Sequence, residues 1–283
     1  MPLYVRKRPV PSGGVVPTPT LHPPVKQAII LAAGRGSRLG SLGSDTPKCL
    51  LNLGGLSLLE SQIRILQNIG IRSICVVAGY EERKVRQSVA GIPGVTVVSN
   101  PVFATTNSLY SLWLTRRWVE GRFICINGDL VAHPDVFHRV LAVESCALAF
   151  DSGSGREEEH MKVLTDGRHL LRIGKDLAAD CIQGENLGVL QFSAEGAARL
   201  FAETSDILAS GGHMDWAPSV LNRVSPFVPV RCVDVRGLPW VEVDFPRDLV
   251  HAREVVWPSI MHHVPALLPA YGVAVNQPSR GVI

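Results

Sequence analysis

The chain has 283 residues, 46% of them hydrophobic, and a formal net charge of +3. That is enough for one large α/β domain or two small ones around an ordinary buried core. No apolar run approaches the roughly 20 residues of a membrane span, and the start of the chain lacks a signal-peptide core, so a cytoplasmic protein without a membrane partner is expected.

Residues 1–26 hold seven prolines with almost no hydrophobic periodicity, which reads as a flexible arm. Its cations Arg6, Lys7, Arg8 and Lys26 have no acid beside them, and without them the charge of +3 becomes −1. The folded body is therefore not basic enough to suggest a nucleic-acid partner. Six cysteines, Cys49, Cys75, Cys125, Cys146, Cys181 and Cys232, show no CxxC spacing and read as reduced core thiols.

After the arm, Ala28-Ile29-Ile30-Leu31 has the unbroken apolar character of a strand buried on both faces. Ala32, Ala33, Gly34 and Gly36 follow and leave backbone N–H groups unobstructed. Arg35, Ser37, Arg38 and then Pro47-Lys48 come next, so small residues give way to cations. Such a loop can wrap a polyphosphate while the cations neutralise it, and the implied ligand is a nucleoside triphosphate. A dinucleotide fingerprint is not matched, because the third glycine falls one place late at Gly40. A Walker loop is not matched either, since Lys48 follows proline.

Leu58 to Ile69 carries a helical apolar stripe that can cover a sheet. Ile74 to Ala78 and Val95 to Val98 read as strands, Ser108 to Trp118 as a helix, and Phe123 to Ile126 as a strand ending in Asn127-Gly128-Asp129. This order implies right-handed crossovers and a mostly parallel sheet. Ligands gather at the carboxyl ends of such strands, where Gly34, Gly79, Asn107 and Asp129 fall.

Asp129 closes an apolar strand after a glycine, so its carboxylate is expected to face a crevice. A triphosphate needs a hard cation, and Mg²⁺ is usually held by one or two carboxylates plus the phosphates. The second carboxylate is Asp244, in Trp240-Val241-Glu242-Val243-Asp244-Phe245-Pro246. The competing, weaker reading is a cap before the helix expected over Arg247 to Val256. Glu242 shares its face and can be the ligand instead.

From Cys146 on the alternation is less regular. Strands are expected at Met161 to Leu164, His169 to Ile173, Leu187 to Phe192 and Val228 to Val235, and helices from Ser193 and over His213 to Val224. This half (about 146–257) completes the sheet of a domain spanning 27–257 and supplies an acceptor pocket to the nucleotide half (about 27–145). Lys162, on a strand near the acids Glu157 to Glu159, and Lys175 are each either site residues or surface charges. Residues 258–283, with four prolines, read as a loosely packed extension or a dimer contact.

The set Leu31-Ala32-Ala33-Gly34-Arg35-Gly36-Ser37-Arg38, Pro47-Lys48, Val77-Ala78-Gly79-Tyr80, Asn100-Pro101, Asn107 to Leu112, Gly128-Asp129, Met161-Lys162-Val163, Ile173-Gly174-Lys175 and Glu242 to Pro246 resembles the phosphocholine cytidylyltransferase family. More narrowly it resembles the phosphonate cytidylyltransferase branch, which includes 2-aminoethylphosphonate cytidylyltransferases. Coverage runs from about Gln27 to Val256. The resemblance implies an α/β, Rossmann-like three-layer nucleotidyltransferase fold with a mixed, mostly parallel central sheet. It further implies that the Leu31 to Gly36 backbone holds CTP, that Arg38 and Lys48 bind its phosphates, and that Gly79, Tyr80, Asn107 and Ser108 line the base pocket. Asp129 and Asp244 would hold Mg²⁺, and Lys162 would stabilise the reacting phosphoryl group. Members of the family are often dimeric.

The implied reaction is one in-line displacement, since a phosphonate or phosphate oxygen is already anionic and needs no general base. The acceptor is open at this stage. A trimethylammonium group prefers an aromatic cage, for which Trp113, Trp118, Trp216 and Trp240 are available, whereas a primary ammonium prefers carboxylates such as Glu185 and Asp215. An acceptor without an amine also remains. Rival classes are a sugar nucleotidyltransferase, a glycosyltransferase with a DxD motif, which Asn127-Gly128-Asp129 does not supply, and a non-catalytic nucleotide sensor.

Overall fold

A computed structural model describes residues 25–154 and 159–263. Most of the N-terminal arm, Glu157 and Glu158, and the extension from 264 onward lie outside the described residues. Strand β1 (Gln27–Ala32) leads through a 3-10 segment (Ser37–Gly43) to helix α1 (Leu58–Asn68). Then come β2 (Ser73–Ala78), α2 (Glu82–Val89), β3 (Val95–Ser99), α3 (Ser108–Leu114), β4 (Phe123–Asn127), β5 (Leu130–Ala132) and α4 (Pro134–Leu141). The second half adds β6 (Cys146–Asp151), β7 (Lys162–Thr165), β8 (Leu170–Gly174), β9 (Gly184–Phe192), α5 (Ala194–Ala209), α6 (Leu221–Val224), β10 (Val230–Asp234), β11 (Trp240–Glu242), α7 (Pro246–His251) and α8 (Trp257–His263).

The main sheet runs β10-β6-β9-β4-β1-β2-β3, with β7 paired to β9 and β8. The junctions β3-β2, β2-β1, β1-β4 and β10-β6 are parallel, while β9 runs antiparallel to both β4 and β6. Alternate side chains of one strand feed opposite faces, as the pleat requires. Ile30 joins a core with α1, α2, α4 and α7, and Ile29 joins a second core with α3, α5 and α6. Helices on both faces make three layers, which is why the apolar run in β1 is unbroken.

Local chemistry fixes several boundaries. Ser57 caps α1, its hydroxyl accepting from the Glu60 N–H at 3.1 Å while the Glu60 carboxylate accepts from the Ser57 N–H at 2.8 Å. The helix expected to Trp118 ends at Leu114 and tightens into a 3-10 turn, where Thr115 Oγ1 donates to the Leu112 carbonyl at 2.6 Å. The helix expected over His213 to Val224 is only a 3-10 turn (Ala217–Val220) followed by α6. The carbonyls of His213 and Asp215 instead accept from Asn107 and Leu109 and so pin the start of α3. The boundary at 257 also falls inside structure. A π-helical segment (Ala252–Val256) joins α7 to α8, where Pro258 sits in the first turn and Ile260 is fully buried.

Candidate active site

The site lies at the carboxyl ends of β1 and β4. Its floor is Leu31, Ala32, Ala33 and Gly34 as β1 runs out, facing Asn127, Gly128 and Asp129 beyond β4, in a cleft of about 190 Å³. Gly128 N–H donates to the Leu31 carbonyl at 2.9 Å, tying the two strand ends together. At Gly34 a side chain would meet nothing of the chain itself, so its backbone is open toward the cleft.

Asp244 is distant in sequence but not in space. Strand β11 pairs antiparallel with β5, directly after the Asp129 turn, and the Val243 N–H donates to the Asp129 carbonyl at 3.0 Å. The two aspartates then share one cation. Lys48 Nζ, presented by the turn after Pro47, lies 2.6 Å from Asp129 Oδ2 and 2.6 Å from Asp244 Oδ1. Burial opposes the ammonium's charge, yet the two carboxylates outweigh it and raise Lys48 above the ordinary lysine value. Burial likewise pushes against ionised Asp244, and Lys48 and Arg38 overcome it and lower its carboxyl. Arg38 completes the cluster, bonding Asp244 Oδ1 at 3.3 Å and Glu159 Oε2 at 2.8 Å.

A second chain of buried polar groups runs behind the first. Asn127 Nδ2 donates to Glu242 Oε1 at 2.8 Å, and His160 bridges Glu242 at 3.5 Å to Glu185 at 3.2 Å. Glu185 also holds the ammonium of Lys162. Burial raises the Glu242 carboxyl to about 7, with the nearby Asp129 charge adding to it. Burial works against the charge on His160, but its bond to Glu185 and the charge on Glu242 raise it above the ordinary histidine value.

Residues 28–196 match the MobA-like NTP transferase domain. The chain belongs to this family. The transferase is 31% identical over 235 residues to CMP-5'-(3-aminopropyl)phosphonate synthase of Streptomyces rubellomurinus, an alignment covering 78% of this chain and 37% of that protein. It thus spans little more than a third of that relative's length. It is 29% identical over 202 residues to 2-aminoethylphosphonate cytidylyltransferase of Lancefieldella rimae, covering 70% of this chain and 80% of the relative. The solved CTP:phosphocholine cytidylyltransferase of Streptococcus pneumoniae superposes with a TM-score of 0.69 at 25% identity, covering 82% of this chain and 99% of that one.

Of the residues singled out in the transferase's sequence, the cleft brings together Leu31, Ala32, Ala33, Gly34, Arg38, Lys48, Asn107, Ser108, Asp129, Lys175, Trp216, Glu242 and Asp244. Asn107 caps α3 by accepting the Ser108 N–H, and Ser108 Oγ accepts the Ala217 N–H at 2.8 Å. Lys175 bonds Glu159 at 3.2 Å and lies 4.7 Å from the centre of the Trp216 ring.

The others stand apart from the cleft lining. Tyr80 packs edge-on against Phe103, with the Arg35 guanidinium over its ring, so Phe103 and not Tyr80 presents the aromatic wall. Gly79 abuts the Ala33 carbonyl, where a side chain would come within 2.8 Å. Gly36 adopts φ 71° to start the 3-10 segment that opens with exposed Ser37. Lys162 is only 5% exposed and is turned to Glu185. Asp215 lies on an exposed turn. Glu185 lines an adjoining hollow of about 930 Å³ that shares Glu159, His160, Glu242 and Asp244 with the cleft.

Sequence reasoning did not select Asn100, Thr106, Ser111 or His160, all in the lining. Asn100 is 1% exposed and donates to Thr106 and Ser111 at 3.1 and 3.0 Å. Its signals were its place just past a strand end and its membership of the Asn100-Pro101 pair in the family pattern.

Proposed function

We propose that this transferase moves CMP from CTP to a small phosphonate, or to a phosphomonoester such as phosphocholine, and releases pyrophosphate. The observation that carries this is the meeting of Asp129, Asp244 and Lys48 directly beside the open Ala33-Gly34 backbone. Relatives named as cytidylyltransferases for phosphonates and for phosphocholine share the chemistry and differ in the acceptor.

The donor set suits Mg²⁺. Asp129 Oδ1 is buried without a hydrogen-bond partner, while its Oδ2 bonds the Lys48 ammonium, which bonds Asp244 as well. An ion held by two carboxylates takes its remaining ligands from phosphates and water, as Mg²⁺ does. When bound by Asp129 and Asp244, the ion would neutralise and orient the triphosphate.

The chain's own residues then divide the work. The backbone N–H groups around Gly34 bind the phosphates. Lys48 and Arg38 stabilise the negative charge that develops as the bond between the α-phosphorus and the bridging oxygen breaks and pyrophosphate departs with the electron pair. An acceptor oxygen, already anionic, forms the new bond to phosphorus. Asn107 and Ser108, at the other side of the cleft, face the nucleoside. Lys175, with Arg38 near the same Glu159, supplies positive charge for the acceptor's anionic end.

The tryptophans bear on the acceptor's other end. Trp216 lines the cleft and Trp240 the adjoining hollow, where its Nε1 donates to Asp151 at 2.8 Å. Trp113 and Trp118 line neither, so no pair of tryptophans faces a single point in the cleft. The cleft's aromatic rings are Phe103 and Trp216, and Lys175 already lies 4.7 Å from the Trp216 ring centre, which favours an acceptor held by charge over one held in an aromatic cage.

The test is pyrophosphate release with CTP, UTP, dTTP and GTP against a panel of phosphonates, phosphomonoesters and sugar 1-phosphates. Turnover with CTP and a phosphonate or choline-type phosphate is expected. A preference for UTP or dTTP with a sugar 1-phosphate would replace the assignment.

A further inference from the structure

The inward face of α1 carries a glutamine that apolar packing does not explain. Gln62 is 1% exposed on a stripe otherwise made of Leu58, Leu59, Ile63 and Leu66, and an amide there is unfavourable unless its polar atoms are engaged. Its nitrogen is fully engaged. Gln62 Nε2 donates to the Asn127 carbonyl at 2.8 Å and to the Leu130 carbonyl at 2.7 Å. These carbonyls are the two ends of the turn Asn127-Gly128-Asp129-Leu130, whereas Gln62 Oε1 has no hydrogen-bond partner. The amide thus lies where it does for the sake of its two N–H groups.

From the cleft side the turn's backbone is held by Gly128 N–H to Leu31 and Val243 N–H to the Asp129 carbonyl, and its side chains by Lys48 on Asp129 and by Glu242 on Asn127. Gln62 closes it from beneath, out of contact with the cleft. We propose that Gln62 is a positioning residue: by clamping both ends of the turn it fixes where the Asp129 carboxylate sits relative to Asp244 and Lys48. Among uncharged side chains of this length only glutamine does this. Methionine fills similar volume but offers no donor, and an ionised glutamate would set oxygen against two carbonyl oxygens. The effect on metal binding rests on the proposed function, because it takes Asp129 as a metal ligand.

The test compares wild type with Gln62→Met in binding Mn²⁺ in the presence of CTP, followed by the electron paramagnetic resonance signal of free Mn²⁺. Groups that orient a metal ligand typically contribute about 10- to 100-fold in metal affinity, and a loss of that size is expected. Binding of CTP in chelator should be unchanged, and in an Asp129→Asn background Gln62→Met should cause no further loss. Ser61→Ala, one position away and equally buried with its hydroxyl on the Leu58 carbonyl, should leave Mn²⁺ affinity as it is.

Equal Mn²⁺ affinity in wild type and Gln62→Met overturns the positioning role, while absence of Mn²⁺ binding by wild type with CTP overturns the proposed function instead. In that case the crystal structure of Gln62→Met still decides the positioning role, which fails if Asp129 Oδ2 keeps its 2.6 Å contact with Lys48. Should Gln62→Met give no cooperative melt, Gln62→Asn, which keeps the amide but shortens its reach, carries the same comparison.

Discussion

Replacing Lys48 by methionine tests the centre of the site without any substrate. The ammonium lies 2.6 Å from each of two carboxylates, and the side chains of Lys48, Asp129 and Asp244 are 12%, 25% and 18% exposed. At an effective dielectric constant of about 20, each contact is worth roughly 6 kcal/mol of direct attraction. Desolvation of three charges offsets most of it. Removing one partner of a buried ion pair generally costs about 3–5 kcal/mol, and the partial exposure here places the loss near the lower end, about 3 kcal/mol. For a domain of this size that lowers the melting temperature by about 6–12 °C. Because Lys48 titrates above its ordinary value of 10.5, its contribution is complete below that pH and is lost only as pH rises through the folded value. The deficit should therefore be flat from pH 6 to about 9. The variant leaves Asp129 without its cation and Asp244 with only the longer 3.3 Å contact to Arg38, so Mn²⁺ alone should stabilise Lys48→Met more than wild type. Thermal melts by circular dichroism, with and without Mn²⁺, check both points. A melting temperature within about 2 °C of wild type, or no extra Mn²⁺ effect in the variant, would refute the shared-cation account.

Asp129→Asn should keep the fold but lower pyrophosphate release by about 100-fold or more, the several kcal/mol expected when a metal ligand is lost; full turnover would remove Asp129 from the site. The His160–Glu185 pair should show a pH window. His160 titrates above 6.5, so its contribution is full below that pH and fades as pH rises through its folded value. Glu185 is opposed by burial but lowered below 4.5 by His160 and Lys162, so its contribution is full above 4.5 and fades as pH falls through its folded value. The difference in melting temperature between wild type and His160→Gln should therefore be largest between about pH 5 and 6.5, and a difference that grows toward pH 9 would contradict it. Among the cysteines, Cys181 is exposed and the rest are buried. Burial pushes Cys49 and Cys75 to about 12. A native-state thiol assay should accordingly find one reactive group, slowed by the neighbouring Asp180 charge, and all six only after unfolding.

The first half of the chain is legible because each signal there is local. An unbroken apolar run of four or five residues that ends in glycine or a turn suits an interior strand of a covered sheet, and β1, β2 and β4 all form within a residue of their expected limits. The second half resists because β9 reverses direction in the middle of the sheet and carries a bulge opposite Leu148 and Phe150. No local pattern announces that reversal, since all nine residues of β9 are buried and no face alternates. The helices misjudged near Trp118 and His213 fail for a related reason: carbonyls that would have extended them are taken by Thr115 and by the start of α3.

The site shows the same division. Lys48, Asp129 and Asp244 each stand at an element's end, where a charged residue beside apolar neighbours has nowhere to go but a crevice. Glu242, His160 and Asn127 act as a set, and a set joined across 115 residues leaves no spacing to read. Gly188 shows how late such a constraint becomes visible. Its φ of 72° lies in the bulge of β9, and the side chain of Asn127 packs directly over it. Any side chain at Gly188 would displace the Asn127 amide, and with it the donor that holds Glu242 next to Asp244. A glycine in a buried strand thus governs the electrostatics of two acids that belong to neither of its neighbours. Glu242 also lines both spaces, with Glu159, His160 and Asp244, so a glycine remote in sequence bears on the shape of the cleft and of the hollow beside it.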